Sequence, residues 1–343
     1  MAVADELRAS GAEVSFLGTR ERVEAELVPA AGYEIDFIKV RGIDRRNPLR
    51  AAWAGIEALV AVAAARRILH RRGADVVMGG GGFVAGPAGL AAALTRTPLV
   101  LTEADSHMGL ANRLLAGRAR QVCLAFPIAG REGERYTLTG RPVPAGVVGA
   151  SREAGRERFG ISADARCLMV FGGSQGARSI NLAAIEAFAE RGGRDFDVIH
   201  LSGRRDHDEL VARLAAAPHA EGYTLSAYEP NFGEVLAASD LVLGRSGGSI
   251  FELTAAGRPA ILVPYPYATG GHQAANAEWM REQGAATVIA DAELSAGRLA
   301  SEVEELFGDE TRLGEMAAAA RRIAKPDAAR QIADRVLEAA RGS

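Results

Sequence analysis

The stretch DLVLGRSGGSIFELTAAGRPAILVPYPYATGGHQAAN, residues 240–276, decides the fold. Its apolar run 241–243 has strand character, and SGGS at 246–249 lets the chain turn sharply into a helix predicted over 250–256. Gly257 and the following Arg258-Pro259 end that helix, and the apolar run 260–263 begins a second buried strand. The order strand, glycine turn, helix, strand predicts a βαβ unit of a parallel sheet.

The turn at 246–249 is suited to an anion. The start of a helix offers free amides and the positive end of its dipole, and glycine lets a phosphate approach the backbone closely. Glu252 follows in the first helical turn, where a carboxylate is a poor phosphate ligand but a good acceptor for ribose hydroxyls. We therefore predict a nucleotide site; the alternative is an ordinary Rossmann-like crossover with a tight turn.

A second glycine turn follows the apolar run 167–171. It reads GGSQGAR, residues 172–178, and leads into a helix predicted over 180–190. It lacks the Lys-Ser/Thr of a phosphate-binding NTPase loop and is not G-x-G-x-x-G, so ATP and dinucleotide sites are both disfavoured. Ser174 and Gln175 are candidate ligands in this turn, or simply caps of the helix.

Composition fits a protein of two α/β domains: 343 residues, 48% of them hydrophobic, with 40 glycines. A net charge of −3 gives no global sign of nucleic-acid binding. Cys123 and Cys167 have no spacing typical of a metal site or a disulfide framework, which fits a reducing cytoplasm. We see no signal peptide at the start and no run of the ~20 apolar residues that a membrane span needs.

Strands and helices alternate along the chain, which predicts a doubly wound α/β fold. Segment 136–151 contains glycines, prolines and few core residues, so we predict an N-terminal domain over 1–145 and a C-terminal domain over 146–326, with helix 327–343 packing back on the first. The predicted strands of the first domain are 13–17, 35–40, 76–78 and 99–103. Those of the second are 168–171, 198–202, 223–227, 241–243, 260–263 and 287–289.

Positive charge is concentrated between Arg41 and Gly73, a segment that contains eight arginines and only two acidic residues, Asp44 and Glu57. Apolar residues at roughly helical spacing lie among them. This pattern is typical of an interfacial helix near anionic lipid, or of a core-packed helix with basic ends. The arginines are 41, 45, 46, 50, 66, 67, 71 and 72, and the apolar residues are Trp53, Ile56, Leu59, Val60, Ala63 and Ile68.

Two loops of the first half are also candidate sites. GGGGFVAGP, residues 79–87, keeps four glycines in a strand-to-helix turn, which indicates close approach of a ligand to Gly80, Gly81 and Gly82, or a flexible turn. The loop after the strand at 99–103 contains Asp105 and His107 at the carboxyl end of a strand, where α/β sheets bind ligands. His107 is a candidate proton acceptor, or a structural histidine.

Five segments together resemble one family: FGGSQGAR (171–178), the turn and helix with AAGRPAILVPYP (255–266), HQAAN (272–276), GGGGFVAGP (79–87) and GLANRLLA (109–116). They are similar to the bacterial glycosyltransferases that move N-acetylglucosamine from UDP-N-acetylglucosamine to undecaprenyl-diphospho-muramoyl-pentapeptide (lipid I), giving lipid II for peptidoglycan. The resemblance spans essentially the whole chain, and GGSQGAR together with AAGRPAILVPYP is its most specific part.

The resemblance implies a GT-B fold, in which two Rossmann-like domains face a cleft and the C-terminal domain holds most of the UDP-sugar. Gly80 to Gly82 then correspond to a loop that meets the acceptor diphosphate, and Glu229 lies where a backbone group meets uracil. Gln273 corresponds to the amide directed at the sugar hydroxyls, and Gly248 to Glu252 take the diphosphate and ribose. The full implied donor set is Gly173, Ser174, Gln175, Gly247, Gly248, Ser249, Ile250, Phe251, Glu252, Gln273, Glu229, Asp105 and Arg141.

The chemistry implied by the resemblance is inverting displacement at the anomeric carbon without a metal or other cofactor, with a base taking the proton of the muramoyl 4-hydroxyl. The implied partners are UDP-N-acetylglucosamine, lipid I and an anionic membrane surface, with no nucleic acid. The implied location is the cytoplasmic face of the cell membrane, held peripherally.

Four departures from the family pattern bear on activity. The family begins with a strand and a Gly-Thr-Gly-Gly-His loop carrying the expected catalytic histidine, whereas this chain opens at AVADELRASGAEV, so we expect an interrupted first sheet with unpaired backbone. Asp105 replaces an asparagine, and Arg141 stands three positions earlier than the family arginine. The turn before Glu252 is one residue shorter.

Three alternatives to this interpretation remain. One is a catalytically silent protein that binds UDP-sugar or the lipid precursor, and another is a UDP-sugar epimerase of the same architecture. The third is a metal-dependent glycosyltransferase, suggested by Asp206-His207-Asp208, although that motif lies among charged residues at a predicted helix start.

Overall fold

The computed structural model describes residues 1–40, 48–173 and 175–342, with side chains except at 48–56, 58 and 269. The strands are β1 (Ser15–Gly18), β2 (Glu34–Phe37), β3 (Val77–Gly79), β4 (Leu99–Glu103), β5 (Gln121–Leu124), β6 (Tyr136–Leu138), β7 (Arg166–Phe171), β8 (Phe196–Leu201), β9 (Tyr223–Ser226), β10 (Leu241–Gly244), β11 (Ala260–Leu262) and β12 (Ala286–Val288). The helices are α1 (Ala2–Ala9), α2 (Glu24–Ala30), α3 (Pro48–Arg72), α4 (Gly82–Thr95), α5 (Leu110–Leu115), α6 (Ala145–Val148), α7 (Arg152–Phe159), α8 (Arg178–Ile185), α9 (His207–Ala216), α10 (Phe232–Ala238), α11 (Ile250–Ala255), α12 (His272–Glu282), α13 (Ala296–Gly308), α14 (Glu310–Ile323) and α15 (Ala328–Arg341).

The chain folds into two compact units. The first comprises Met1–Pro142 and Asp327–Ser343, and the second comprises Val143–Pro326. Helix α15 belongs to the first unit because its apolar face, including Ile332 and Val336, packs with α1 and the sheet in one buried cluster.

The second unit contains one parallel sheet with strand order β12-β11-β10-β7-β8-β9. Counted within the unit, this is the doubly wound order 3-2-1-4-5-6, and the winding direction reverses between β7 and β10. Both central strands are buried along nearly their whole length, since helices cover both faces of such a sheet. All six strands predicted for this unit are confirmed, each within three residues at its ends.

The parallel strands of the first unit form two sheets, β1-β2 and β3-β4-β5-β6. Among the residues that the structure describes, one edge of β1 and one edge of β3 pair with no strand. Met78 is 38% exposed in the middle of β3, between buried Val77 and Gly79. The division into two sheets agrees with the interruption predicted for this domain, and within the described part of the chain these two edges have no neighbouring strand.

Four elements differ from the sequence prediction. Strand β6 lies in the segment interpreted as a linker, where it pairs with β5 at the edge of the sheet. Its three residues are only partly buried, so their apolar signal is weak. Strand β5 and helix α1 were not predicted as elements. The helix predicted from residue 180 begins at Arg178 and continues as a π-helical turn over Glu186–Glu190.

Helix α3 has two apolar faces. Ala61, Val62 and Ala65 are buried, whereas Leu59 and Val60 are 68% and 63% exposed. The core-packed interpretation of the basic, apolar segment thus describes one face of this helix, and the interfacial interpretation stays a prediction. Within the described residues, no helix combines the length and hydrophobicity that crossing a membrane requires. Of the predicted pattern, Arg41, Arg45 and Arg46 lie outside the described residues, as do the side chains of Arg50, Trp53 and Ile56.

The positive charge of α3 is partly neutralised within the first unit. Arg71 donates to Asp36 over 2.6 Å, and Arg72 donates to Asp36 over 2.8 Å and also pairs with Glu34. The two arginines thereby attach the end of α3 to β2. The local excess of charge predicted from the sequence is correspondingly smaller in the fold.

Asp240, directly before β10, attaches helix α7 to the second sheet. Its carboxylate accepts hydrogen bonds from Arg152 (2.5 Å), from Arg156 (2.8 Å) and from the backbone N–H of Cys167 (2.9 Å). Arg156 is 5% exposed and also donates to the carbonyl of Ala238 at the end of α10. One carboxylate therefore holds two arginines, two strands and two helices in place.

A buried polar chain runs behind the first glycine turn. His200 is fully buried, with Nδ1 2.7 Å from the Tyr223 hydroxyl and Nε2 3.0 Å from Asn181 Oδ1. The Asn181 amide donates to the carbonyl of Ser202 and to Asp206. Every polar group in this chain has a partner, so its burial does not carry the usual desolvation penalty.

We expect Asp240→Asn to destabilise the second unit by about 2–4 kcal/mol, because it leaves two arginines without their counter-charge. The loss of unfolding free energy should lie toward the low end of this range, because the Asp240 side chain is 21% exposed and solvent screens its charge. Urea unfolding followed by circular dichroism measures the change. Glu310→Gln is the control, since Glu310 pairs with Arg166 while 84% exposed and should contribute little. Equal effects of the two substitutions would contradict the assignment.

We also expect His200 to make stability pH-dependent. Burial, with a smaller contribution from His207, lowers the pKa of His200 to about 3, against about 6.5 when unfolded. The folded state therefore resists protonation, and stability should fall by about 1.4 kcal/mol per pH unit between roughly pH 6.5 and 3.

Replacing this histidine removes that titration. His200→Gln should be less stable at pH 7.5 but should lose less stability than the wild type between pH 7.5 and 4.5, as measured by urea unfolding at each pH. Parallel losses in the two proteins would contradict the role of this histidine.

Candidate functional site

The two glycine turns lie side by side. Strands β7 and β10 are neighbours, and their last residues, Phe171 and Gly244, are opposite each other in the register. A Cβ on Gly244 would lie 2.7 Å from the Phe171 ring, so a glycine is needed for the strands to end together. Both turns therefore begin at the carboxyl edge of the sheet, at the reversal point where open α/β sheets bind ligands.

The first turn, residues 172–177, is shaped by its own close packing. Gly173 and Gly176 have φ of +86° and +77°, in the left-handed region that favours glycine. A Cβ on Gly172 would lie 2.3 Å from the Ala177 nitrogen, and one on Gly176 would lie 2.3 Å from the Ser202 carbonyl oxygen. Gln175 is exposed. Ser174 lies outside the described residues, so its predicted role stays a prediction.

The second turn leads into a short helix. Gly247, Gly248 and Ser249 are partly exposed, and α11 covers six residues from Ile250, ending one residue before the predicted end. Ile250 is fully buried and Phe251 is 4% exposed, with its ring 6.1 Å from that of Trp279. The side chains of these two predicted site residues therefore belong to the core, and only their backbone can meet a ligand.

Glu252 and Gln273 flank the second turn. Glu252 lies half-buried in the first turn of α11. Gln273, the second residue of α12, accepts a hydrogen bond from the Tyr265 backbone N–H through Oε1 (2.9 Å). Its Nε2 lies 3.9 Å from the position of a Cβ on Gly247. The amide is thus oriented with its donor toward the turn, where it can bind a hydroxyl oxygen.

Glu229 follows β9, and its carboxylate already has protein partners. It accepts two hydrogen bonds from Arg158 (2.8 and 2.9 Å) and one from the Asn231 backbone N–H (2.8 Å). Any part that Glu229 takes in ligand binding therefore falls to its backbone, as the resemblance implies.

The glycine loop of the first unit is open. Gly81 and Gly82 have φ of +79° and +75°, and α4 begins at Gly82. A Cβ on Gly82 would meet nothing within 4 Å, and one on Gly80 would lie 3.5 Å from the Thr102 hydroxyl. Space is therefore available for a ligand to approach this backbone.

The loop after β4 is organised by a glutamate that the sequence analysis did not select. Glu103 is 7% exposed and accepts hydrogen bonds from the Asp105 and Gly109 backbone N–H groups (3.2 and 2.8 Å) and from Asn112 Nδ2 (2.9 Å). Asp105 is half-buried beside it and His107 is exposed. The only signal in the sequence was the position of Glu103 at the end of an apolar strand.

Arg141 is exposed and follows β6 in the first unit. The predicted site residues Asp105 and Gly80 to Gly82 belong to the same unit. Glu252, Gln273 and both other glycine turns belong to the second unit. Within that unit, the structure brings the two turns, Glu252 and Gln273 to one edge of the sheet.

Buried polar residues beneath the second turn were also missed. Ser246 is fully buried and donates through Oγ to the carbonyl of Gln273 (2.7 Å), and Asn276 Nδ2 donates to the carbonyl of Ser246 (3.0 Å). These bonds hold the turn against α12. Both residues lie within the stretch quoted first, but only the fold shows that they face each other.

Asp206, His207 and the two cysteines were the remaining candidates for other chemistry. Asp206 accepts from Asn181 and Arg178, and His207 Nδ1 lies 3.1 Å from the Ser202 hydroxyl. Across the described part of the chain, no group of three His, Cys, Asp or Glu side chains is arranged to hold a metal. Burial raises the pKa of both cysteine thiols to about 12, which disfavours their thiolate form.

Comparison with known proteins gives a consistent assignment. Residues 1–124 match the glycosyltransferase family 28 N-terminal domain, and residues 167–332 match the glycosyltransferase family 28 C-terminal domain. A solved UDP-N-acetylglucosamine 2-epimerase from Neisseria meningitidis, 12% identical with a TM-score of 0.65, covers 98% of this chain and 95% of its own and shares the fold alone. The fold is thus GT-B, with two Rossmann-like domains.

Closer relatives have one activity in their names. The UDP-N-acetylglucosamine–N-acetylmuramyl-(pentapeptide) pyrophosphoryl-undecaprenol N-acetylglucosamine transferase of Nitrosococcus oceani is 40% identical over 100% of this chain and 95% of its own. The enzyme of the same name from Moorella thermoacetica is 39% identical over 96% of this chain and 91% of its own. The crystal structure of Acinetobacter baumannii MurG is 28% identical, covers 98% of this chain and 94% of its own, and superposes with a TM-score of 0.80. The chain therefore belongs to glycosyltransferase family 28 and, within it, to the family of these N-acetylglucosamine transferases.

Proposed function

We propose that this chain transfers N-acetylglucosamine from UDP-N-acetylglucosamine to the muramoyl 4-hydroxyl of lipid I, producing lipid II and UDP. The observation that carries the proposal is the meeting of two glycine turns, Glu252 and Gln273 at the reversal point of the second sheet. Relatives of 39–40% identity along almost the whole chain support the choice of donor and acceptor.

Each part of this site suits one part of the donor. The partly exposed backbone of Gly247, Gly248 and Ser249 offers amides to the diphosphate, and the Glu252 carboxylate accepts from the ribose hydroxyls. The Gln273 amide, held by Tyr265, donates to a hydroxyl of the sugar. The backbone beside Glu229 remains for uracil, because the carboxylate is bound to Arg158. Gly80, Gly81 and Gly82, with their open backbone, suit the acceptor diphosphate.

The reaction is then an inverting displacement. The 4-hydroxyl oxygen of the acceptor forms a bond to the anomeric carbon while the bond from that carbon to the UDP oxygen breaks, and a base takes the hydroxyl proton. His107, exposed in the loop that Glu103 organises, is the candidate base among the side chains discussed. Backbone amides of the glycine turns stabilise the departing diphosphate, so no cofactor is required.

A transfer assay tests the proposal directly. We expect radiolabel from UDP-N-acetylglucosamine to appear in a lipid II analogue when this chain is incubated with a lipid I analogue.

We expect Glu252→Ala to weaken UDP binding by about 1.5–3 kcal/mol, through loss of one charged hydrogen bond to ribose, as measured by calorimetry. Glu304→Ala, an exposed glutamate on α13, is the control and should bind UDP normally. Donor binding without any transfer would instead indicate a silent UDP-sugar-binding protein.

We propose further that the first unit holds the protein on the cytoplasmic face of an anionic membrane. Helix α4 packs against α3 and α5, and each of the three helices carries exposed apolar residues. Leu94 and Leu114 are 59% and 66% exposed, and Arg113 and Arg118 are exposed close to Leu114 in the chain. Apolar side chains combined with basic ones favour binding to anionic lipid surfaces.

Vesicle sedimentation measures this attachment. With vesicles containing phosphatidylglycerol, Leu94→Glu and Leu114→Glu should each reduce the bound fraction several-fold, because each replaces an exposed apolar side chain, which can insert among lipids, with a charge that anionic lipid repels. Val211→Glu is the matched control, since Val211 is 46% exposed but lies on α9 of the second unit. Equal loss in all three variants would refute attachment through the first unit.

A further inference from the structure

Arg245 stands directly before the glycine turn at 246–249, where an arginine would be expected to bind the donor diphosphate. The structure gives it a different environment. It is 9% exposed, and its guanidinium donors point to protein groups. Nη1 donates to the carbonyls of Val263 (3.0 Å) and Pro264 (3.3 Å) and to the carboxylate of Asp291 (2.5 Å).

The second guanidinium nitrogen extends the same network. Nη2 of Arg245 donates to the Ser179 hydroxyl (2.9 Å), and that hydroxyl donates to Asp291 Oδ1 (2.7 Å). Asp291 therefore neutralises the arginine and shares one oxygen between two donors. The Tyr265 ring, centred 5.5 Å from the guanidinium carbon, covers it further. The positive charge of Arg245 is thus balanced and its planar fork is occupied.

These bonds connect three ligand-binding segments. Ser179 is the second residue of α8, immediately after the first glycine turn. Arg245 precedes the second turn, and the carbonyls of Val263 and Pro264 begin the loop that leads through Tyr265 to Gln273. Asp291 comes from the segment after β12. A displacement of the guanidinium would move all three segments relative to one another.

We propose that Arg245, Asp291 and Ser179 form a positioning brace that holds both glycine turns and the Gln273 loop in the arrangement that binds UDP-N-acetylglucosamine. The inference rests on the proposed donor, but the brace itself touches no part of it. Only a planar cation with several donors in fixed directions can reach two carbonyls, a carboxylate and a hydroxyl together, which a lysine cannot do. The brace therefore sets donor affinity from beneath the site.

Two substitutions separate positioning from direct binding. Arg245→Lys keeps the charge but loses the fork, whereas Asp291→Asn keeps the arginine and releases it from its carboxylate. If Arg245 bound phosphate directly, Asp291→Asn would leave donor affinity unchanged or increase it. If the brace is needed, both variants weaken binding alike. Arg213→Lys is the matched control, because Arg213 forms a comparable fork with Glu190 (2.7 and 2.8 Å) elsewhere in the same unit.

The experiment combines calorimetric titration of UDP-N-acetylglucosamine with hydrogen exchange of the unliganded proteins. We expect Arg245→Lys and Asp291→Asn each to raise the Kd by about 10-fold to 100-fold, as small misplacements of binding groups do. The double variant should be no weaker than either single one, since both break one network. Amides in 172–177, 246–249 and 264–273 should exchange faster in both, but not in Arg213→Lys.

Two results would overturn the inference. One is Asp291→Asn with wild-type or tighter donor affinity while Arg245→Lys is weakened, which would assign Arg245 to the diphosphate itself. The other is hydrogen exchange that stays at the wild-type rate in the three segments of both variants, so that a lowered Tm is their only change. The hydrogen-exchange comparison needs no ligand, so it tests whether the brace holds the three segments even if the wild type does not bind UDP-N-acetylglucosamine. Failure of the wild type to bind UDP-N-acetylglucosamine would refute the proposed function and not the brace.

Discussion

The pairing of β7 with β10 is the constraint on which the candidate site depends. Parallel strands that pair in register end at the same level, so the chain segments leaving Phe171 and Gly244 start as neighbours. The doubly wound order then sends the two following helices to opposite sides, and the space between them is open to a ligand. Because Gly244 has the Phe171 ring against it, a larger residue would separate the strands and the turns together.

Buried polar groups, rather than apolar packing alone, hold the segments around that point. Asn181, in the helix after the first turn, donates to the Ser202 carbonyl directly after β8. Asn276 holds the second turn against α12. Arg245 joins the second turn to the loop that leads to Gln273. Such groups are costly to bury without partners, and here nearly all of them are paired. Directional bonds of this kind specify one arrangement of the loops, which an apolar contact cannot do.

The two units differ in how their parallel strands are grouped. The second has one six-stranded sheet, whereas the strands of the first are divided between two sheets with exposed Met78 at the interruption. The first unit contains the two features proposed to meet the acceptor: an open glycine backbone at 80–82 and a loop fixed by the buried carboxylate of Glu103. Its exposed leucines and arginines form the surface proposed to bind lipid.

The sequence by itself determined the fold class, the six strands of the second unit, both glycine turns and the family, because apolar runs and glycine turns are local signals that neighbouring residues carry. It did not predict β6, whose three residues at a sheet edge are too few and too exposed to form a pattern. Only the tertiary structure placed the side chains of Ile250 and Phe251 in the core and Glu229 against Arg158. It alone brought Arg245 to Ser179 and Asp291, which lie 66 and 46 residues away. Such pairs depend on which strands become neighbours, and no local pattern encodes that choice.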